Sequence, residues 1–269
     1  MYERELEVAQ AAAALAGRYL VEEYERFQAI PDAAASITTH ADRQAQEIIL
    51  RHILLHFPKD ALCAEEATPT VRQAEQLGDR LWIVDPIDGT RGFAMKNGEF
   101  SVMIGFVDRG IIGLGVVAQP AAQRLTYAHR GGGCWRRDRG ADAPISCHVT
   151  AVAQLEEATL TQSRPRHAGV RSPLVQALNP ARIVESYSAG IKLALVARGE
   201  ADVYLNTYDA FHDWDICAGH LLVTEAGGQV SGIKGEELHY GLPGAWQKSG
   251  LLATNGKLHA SAVARTKTS

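Results

Sequence analysis

No apolar run in this sequence approaches the roughly 18 residues that a membrane-spanning helix requires, so no span is expected. Cysteine is scarce, with four residues (Cys63, Cys134, Cys147, Cys217) set far apart and no Cys-x-x-Cys. That pattern argues against both a zinc knuckle and a disulfide framework, and it leaves buried free thiols as the expectation. Basic charge is not in excess either: 27 Lys and Arg stand against 31 Asp and Glu, for a net charge of −4. Such a balance gives no general attraction to a nucleic acid polymer or an anionic membrane. The first residues, Met1-Tyr2-Glu3-Arg4-Glu5, lack the basic-then-apolar order of a secretory signal, and a cytoplasmic location is expected. No internal repeat or low-complexity tract stands out. What is present is 269 residues at 46% apolar content, enough for a substantial core in one large domain or two intimate halves.

Along the chain, Glu3 to about Phe27 is alanine-rich with Leu6, Leu15, Tyr19 and Tyr24 near helical spacing, which predicts a long amphipathic helix. Thr39 and Asp42 then have the spacing of a capping box, and Ala45, Ile48, Ile49, Ile53 and Leu54 carry a second helix that stops at Pro58. Leu62-Cys63-Ala64 leads into Glu65-Glu66, with a connecting helix predicted near Val71 to Leu77. Phe100–Val107 and Ile112–Val117 read as strands joined by the hairpin turn Asp108-Arg109-Gly110, and Leu125-Thr126-Tyr127 continues the meander. Glycines 131–133 and Pro144 mark loops, and a boundary near residue 150 divides an N-terminal half (1–150) from a C-terminal half (151–269). In the second half a strand at Ala158-Thr159-Leu160, helices near Ser172–Leu178 and Ala189–Ala197, and a strand at Ala201–Leu205 alternate as in α/β architecture. Asp213-Trp214-Asp215 opens a last helix that ends at Ala226-Gly227-Gly228.

The chemistry centres on Leu81-Trp82-Ile83-Val84, read as a buried strand that stops at Asp85-Pro86-Ile87-Asp88-Gly89-Thr90. Ligands gather at the carboxyl ends of such strands. Asp85 and Asp88 then face one small volume, an arrangement that is unfavourable at neutral pH without a cation between them. Asp-Pro and Asp-Gly are also ordinary turn dipeptides, so the pair needs company. Asp42, Glu65 and Asp215 supply it as further acids at element ends. Asp42 has two readings, a helix cap and a base near the crevice. Asp215 likewise either complements a helix dipole or binds metal. An all-oxygen donor set without a histidine cluster suits Mg²⁺ over zinc. Gly89 and Thr90, opening a helix through Phe93, offer amides to an anion. Phosphoryl chemistry follows. Pro86 stands two residues before Asp88, where a dehalogenase-type aspartyl nucleophile would be, and this argues against a covalent aspartyl-phosphate. A metal-activated water is the better nucleophile.

The motif Trp82 to Thr90, with Trp214-Asp215, Glu225-Ala226-Gly227-Gly228, Glu65-Glu66 and Thr39-x-Ala41-Asp42, resembles the inositol monophosphatase superfamily over most of the chain. The resemblance implies a layered αβαβα sandwich and Mg²⁺-dependent hydrolysis of a phosphate monoester, commonly inhibited by lithium. It implies that Glu65, Asp85 and the Ile87 carbonyl hold one Mg²⁺, that Asp85, Asp88 and Asp215 hold a second, and that a third binds loosely near Glu65. Asp42 and Thr90 would orient and deprotonate the attacking water, and the Gly89 and Thr90 amides would hold the phosphate. Related proteins are often homodimers.

For the substrate, Lys96–Phe100, Ser163-Arg164-Pro165-Arg166-His167 and Lys192 resemble the 3'(2'),5'-bisphosphate nucleotidase branch, with Ser163, Arg164, Lys192 and Asp88 on the substrate side. Lys192 and Arg164 read equally as surface charges. Two positions depart from the family patterns. Tyr208 stands where inositol phosphatases place a glutamate, and Asp209-Ala210-Phe211 replaces the Gly-Pro-Thr of many nucleotidases. Val116–Pro120 and the glycines at 131–133 look like the histidinol phosphatase branch. A non-catalytic phosphate-binding protein is the alternative from another class, and the presence of Asp42 with Thr90 argues against it, because binding alone needs no water-activating pair.

Overall fold

The computed structural model describes residues 1–34, 36–164 and 171–267. The chain opens with α1 (Glu3–Arg26), whose Leu6, Ala9, Ala12, Ala13, Ala16 and Leu20 recur every three or four residues and are buried. It is followed by α2 (His40–His56). Next come β1 (Ala61–Ala64), α3 (Pro69–Gln73), β2 (Arg80–Asp88) and α4 (Thr90–Ala94). A meander of β3 (Ser101–Asp108), β4 (Ile111–Gln119), β5 (Arg124–His129), β6 (Cys134–Asp138) and β7 (Ile145–Cys147) completes a sheet ordered β1 to β7. Beyond it lie β8 (Thr159–Gln162), α5 (Pro173–Leu178), β9 (Arg182–Glu185), α6 (Ala189–Ala197), β10 (Val203–Asn206), β11 (Phe211–His212) and α7 (Asp213–Glu225). The last elements are β12 (Gln229–Ser231), β13 (Trp246–Gln247), β14 (Leu251–Thr254) and α8 (His259–Lys267). A second sheet has the order β12-β14-β10-β8-β9.

Side-chain alternation along the strands stacks these elements into five layers. Trp82 and Val84 of β2 join the cluster made with α1 and α2, whereas Leu81 and Ile83 join the cluster containing Leu193, Ile216, Ala218 and Leu222 of α6 and α7. Tyr204, Leu251 and Ala253 from the second sheet face that same central helical layer. The opposite face of this sheet, with Leu160, Val203, Leu205 and Leu252, packs on α5 and α8. The result is the αβαβα sandwich expected. α7 approaches the first sheet at a glycine: a Cβ at Gly105 would lie 2.8 Å from the Cys217 sulfur.

Two expectations need correction. β2 does not stop before Asp85 but continues through Pro86 to Asp88, with a register shift against β3 between Asp85 and Asp88. The bulge is where a residue without an N–H can sit inside a strand. α3 ends at Gln73 and not near Leu77, because the Glu75 carbonyl turns back to accept from the Leu62 amide at 2.8 Å. The cysteines are free; Cys134, Cys147 and Cys217 are buried, and Cys63 is only partly so. Among the described residues, no helix is long and apolar enough to cross a membrane.

Candidate active site

A cleft of about 920 Å³ opens where β1 and β2 end and where α4, α6 and α7 begin. Glu65, Asp85, Ile87, Asp88, Gly89, Thr90, Ser163, Arg164, Lys192 and Asp215 all line it. Asp42 lies behind this wall, 1% exposed, and reaches the cleft through Thr90.

The two readings of Asp42 are both realised, one on each oxygen. Oδ2 accepts from the Thr39 amide at 2.8 Å and the Thr39 hydroxyl at 2.6 Å, closing the N-terminus of α2. Oδ1 faces the Thr90 hydroxyl at 2.9 Å, and that hydroxyl is equally 2.9 Å from the Ile87 carbonyl. Burial raises the Asp42 pKa above the usual carboxylate range, against the pull of its Thr39 and Thr90 hydrogen bonds. Gly89, at φ 88°, makes the turn that places Thr90 at the head of α4; a side chain there would run into the Glu99 carbonyl at 2.7 Å.

Three carboxylates gather beside this pair. Asp85 is 2% exposed, and Ile87 donates its amide to Oδ1 at 3.0 Å. Glu65 continues the parallel pairing of β1 with β2, its amide donating to the Val84 carbonyl at 3.2 Å. Asp215 closes the first turn of α7, accepting from the His212 amide at 2.6 Å. Burial, reinforced by the neighbouring acids, pushes Glu65 up to about 8 and Asp215 up to about 7. Asp85 rises well above its ordinary value through burial and the nearby charges of Glu65, Asp88 and Asp215.

Asp88 is oriented otherwise. Its Oδ1 accepts from the Ala189 amide at 3.0 Å, and its Oδ2 accepts from the Gly190 amide at 2.7 Å, the Ser101 hydroxyl at 3.1 Å and the Ser188 hydroxyl. Both oxygens are thus engaged at the start of α6, 100 residues downstream of their own strand. Among the described residues no three His, Cys, Asp or Glu side chains already close into a ligand shell. Asp88 is turned to α6 and Asp42 to Thr39 and Thr90, while one oxygen of Asp215 accepts from the His212 amide.

The substrate-side residues divide. Lys192 is not a surface lysine; it is 1% exposed, its ammonium donates to the Ser186 carbonyl at 2.8 Å and lies 5.2 Å from the Tyr204 ring. Arg164 is paired with Glu99, its Nε donating at 3.0 Å, and is therefore not a free cation. Ser163 accepts from the Asn206 amide group at 3.3 Å. Arg166 and His167 lie outside the described residues. Sequence reasoning missed Arg91, Tyr187, Tyr204, Ser188 and Ser101. Only Ser188, a serine directly before an apolar helical run, carried a local signal, that of a helix cap.

The sequence profile of the inositol monophosphatase family matches residues 1–269. The chain belongs to the inositol monophosphatase family. A Thermotoga maritima fructose-1,6-bisphosphatase/inositol-1-monophosphatase is 32% identical over 84% of this chain and 81% of its own length. A 3'(2'),5'-bisphosphate nucleotidase of Buchnera aphidicola is 31% identical over 76% of this chain and 74% of its own. A Mycobacterium tuberculosis histidinol-phosphatase is 31% identical over 84% and 83%. Among solved structures, the inositol monophosphatase of Anabaena superposes with a TM-score of 0.80 at 26% identity, covering 99% of this chain and 96% of that one. Members of the inositol monophosphatase family are phosphoric monoester hydrolases, and so is this protein. Relatives named for different substrates at nearly equal identity mean that the family assigns the reaction and not the molecule hydrolysed.

The inositol monophosphatase family is metal-dependent, typically on Mg²⁺, and the donor set here fits such an ion. Glu65, Asp85 and Asp215 are hard oxygen donors. None of them is paired with an Arg or Lys among the described residues, and Asp215 has only the His212 ring at 3.8 Å, which burial keeps below its ordinary pKa. Burial first, and then their mutual repulsion, raises the pKa of each, as befits carboxylates that no Arg or Lys neutralises among the described residues.

Proposed function

We propose that the protein is a cytoplasmic Mg²⁺-dependent phosphomonoesterase acting on adenosine 3',5'-bisphosphate, with the 3'-phosphate at Gly89 and Thr90. The observation that carries the substrate reading is Lys192, a buried cation that lines the cleft and, among the described residues, has no carboxylate within ion-pair distance. Its one hydrogen bond among the described residues, to the Ser186 carbonyl, leaves two donors for a ligand. Burial lowers its pKa to about 8, so it stays charged at neutral pH. Tyr208, exposed at the lining of the same cleft and set edge-on against Phe211, suits the face of a nucleobase.

Glu65, Asp85 and the Ile87 carbonyl would hold one Mg²⁺ and Asp85, Asp88 and Asp215 a second, with a third near Glu65. Asp88 would join only by exchanging one of its bonds to α6. When bound, Mg²⁺ supplies a lowered pKa for water and neutralises phosphate charge. The chain itself handles the proton. The Thr90 hydroxyl is too weak a base alone, so it passes the proton of the attacking water to Asp42 Oδ1, 2.9 Å away. Thr39 fixes the other Asp42 oxygen, which keeps the acceptor aimed. Burial makes Asp42 a stronger base than an exposed aspartate. A protein that only bound phosphate would not require this relay.

Lys192→Met keeps the volume of the side chain and removes its charge. A charge-assisted contact made equally in ground and transition states acts on KM, so KM for the bisphosphate should rise roughly ten- to a hundredfold. An aryl phosphate without a second phosphate should be affected far less. Equal losses on both substrates would discard the nucleotide assignment and leave the phosphomonoesterase.

A further inference from the structure

The cleft contains another cation that the mechanism above leaves unused. Arg91 follows Thr90 on α4 and lines the cleft. Its guanidinium lies 5.1 Å from the centroid of the Tyr187 ring, and its Nε is buried and, among the described residues, without a hydrogen-bond partner. Among the described residues it forms no ion pair. A buried N–H of this kind is costly to leave unanswered, and native proteins rarely do so without a ligand, water or ion to answer it.

Arg164 also lies against Tyr187, 5.5 Å from the same ring, but its charge is already met. Both Glu99 oxygens face its guanidinium, and Glu185 lies 3.8 Å from it. Glu99 further accepts from the Tyr187 amide at 3.2 Å. One carboxylate therefore fixes Arg164 and Tyr187 together, and Tyr187 in turn braces Arg91. Arg164 is structural in this network and Arg91 is the available fork. A guanidinium presents parallel donors that match phosphate oxygens two at a time.

We propose that Arg91, braced by Tyr187, grips the substrate's second phosphoryl group, the one that is not hydrolysed. The assignment rests on the bisphosphate reading above, and it adds Arg91 to Lys192 on the side of the cleft that meets that group.

The test compares adenosine 3',5'-bisphosphate with adenosine 3'-monophosphate, at saturating Mg²⁺, on wild type, Arg91→Gln and Arg91→Lys. Arg91→Gln should raise KM for the bisphosphate roughly ten- to a hundredfold and for the monophosphate less than about threefold, with kcat little changed. Arg91→Lys, which keeps charge without the fork, should fall between. Inhibition by adenosine 5'-monophosphate, which retains the second phosphate, should weaken in parallel in Arg91→Gln. Equal rises on both substrates, or none, would overturn the assignment to Arg91 while leaving the wild-type preference for the bisphosphate standing. A wild type that does not prefer the bisphosphate to the monophosphate overturns this inference and the substrate reading together.

Discussion

Without metal, the cleft should make the protein lose stability as pH rises, and Mg²⁺ should remove that loss. Carrying the Asp215 carboxyl from 3.8 to about 7 makes its ionisation within the fold about 4 kcal/mol more costly, at roughly 1.4 kcal/mol per pH unit. A folded-state pKa above the unfolded value means that the native protein binds the proton more tightly. Its contribution is therefore fully present below about pH 4 and is lost as pH rises through about 7. Glu65, raised to about 8, acts with the same sign and extends the window upward. The Asp215 side chain keeps 24% exposure, and water at that face reduces the effect. At about 2–4 °C per kcal/mol for a chain of this size, a fall in Tm of roughly 5–10 °C between pH 5 and pH 8.5 is expected in chelator. Mg²⁺ binds the ionised carboxylates, so its stabilisation should grow over the same interval as protons cease to compete. Calorimetry of one preparation in chelator and in millimolar Mg²⁺ gives the two curves. Parallel curves across that range would refute the reasoning, and Asp215→Asn should bring the chelator curve closer to flat.

Asp42→Asn should lower kcat by roughly two to four orders of magnitude with KM little changed, because the amide cannot take the proton from Thr90; steady-state kinetics with retained secondary structure by circular dichroism would check it. The same change weakens the N-terminal cap of α2, at about 1 kcal/mol measured by denaturant titration. Asp88→Asn should reduce turnover by orders of magnitude at limiting Mg²⁺, and it should also destabilise the fold by roughly 1.5–3 kcal/mol, because an amide cannot accept from both the Ala189 and Gly190 amides. A variant with near-normal turnover and unchanged Tm would remove Asp88 from both roles.

The layers were legible because periodicity is local. α1, α6 and α7 carry apolar residues at helical spacing and end near a proline, an arginine cap or glycines, and all three lie within a residue or two of the expected bounds. β2 was cut short in sequence because a proline forbids a ladder bond, and nothing local reveals that a bulge will accommodate it. The carboxylates were legible as acids at element ends. Their orientation was not, since Asp88 is turned by amides about 100 residues away. Lys192 and Arg164 were not told apart in sequence, since neither position shows which carboxylates the fold will bring to it. Their difference is tertiary: Lys192 is enclosed beneath Tyr204, whereas Glu99 neutralises Arg164. Arg91 gave no signal for the same reason, because its role depends on Tyr187 from a distant segment.

Phosphate release under Mg²⁺ from adenosine 3',5'-bisphosphate, inositol 1-phosphate and histidinol phosphate, each repeated in chelator, tests the central claim most directly. Release that requires Mg²⁺ and shows its highest kcat/KM on the bisphosphate is the predicted result. Release undiminished in chelator would contradict the metal-dependent hydrolysis, and a higher kcat/KM on inositol or histidinol phosphate would contradict the substrate.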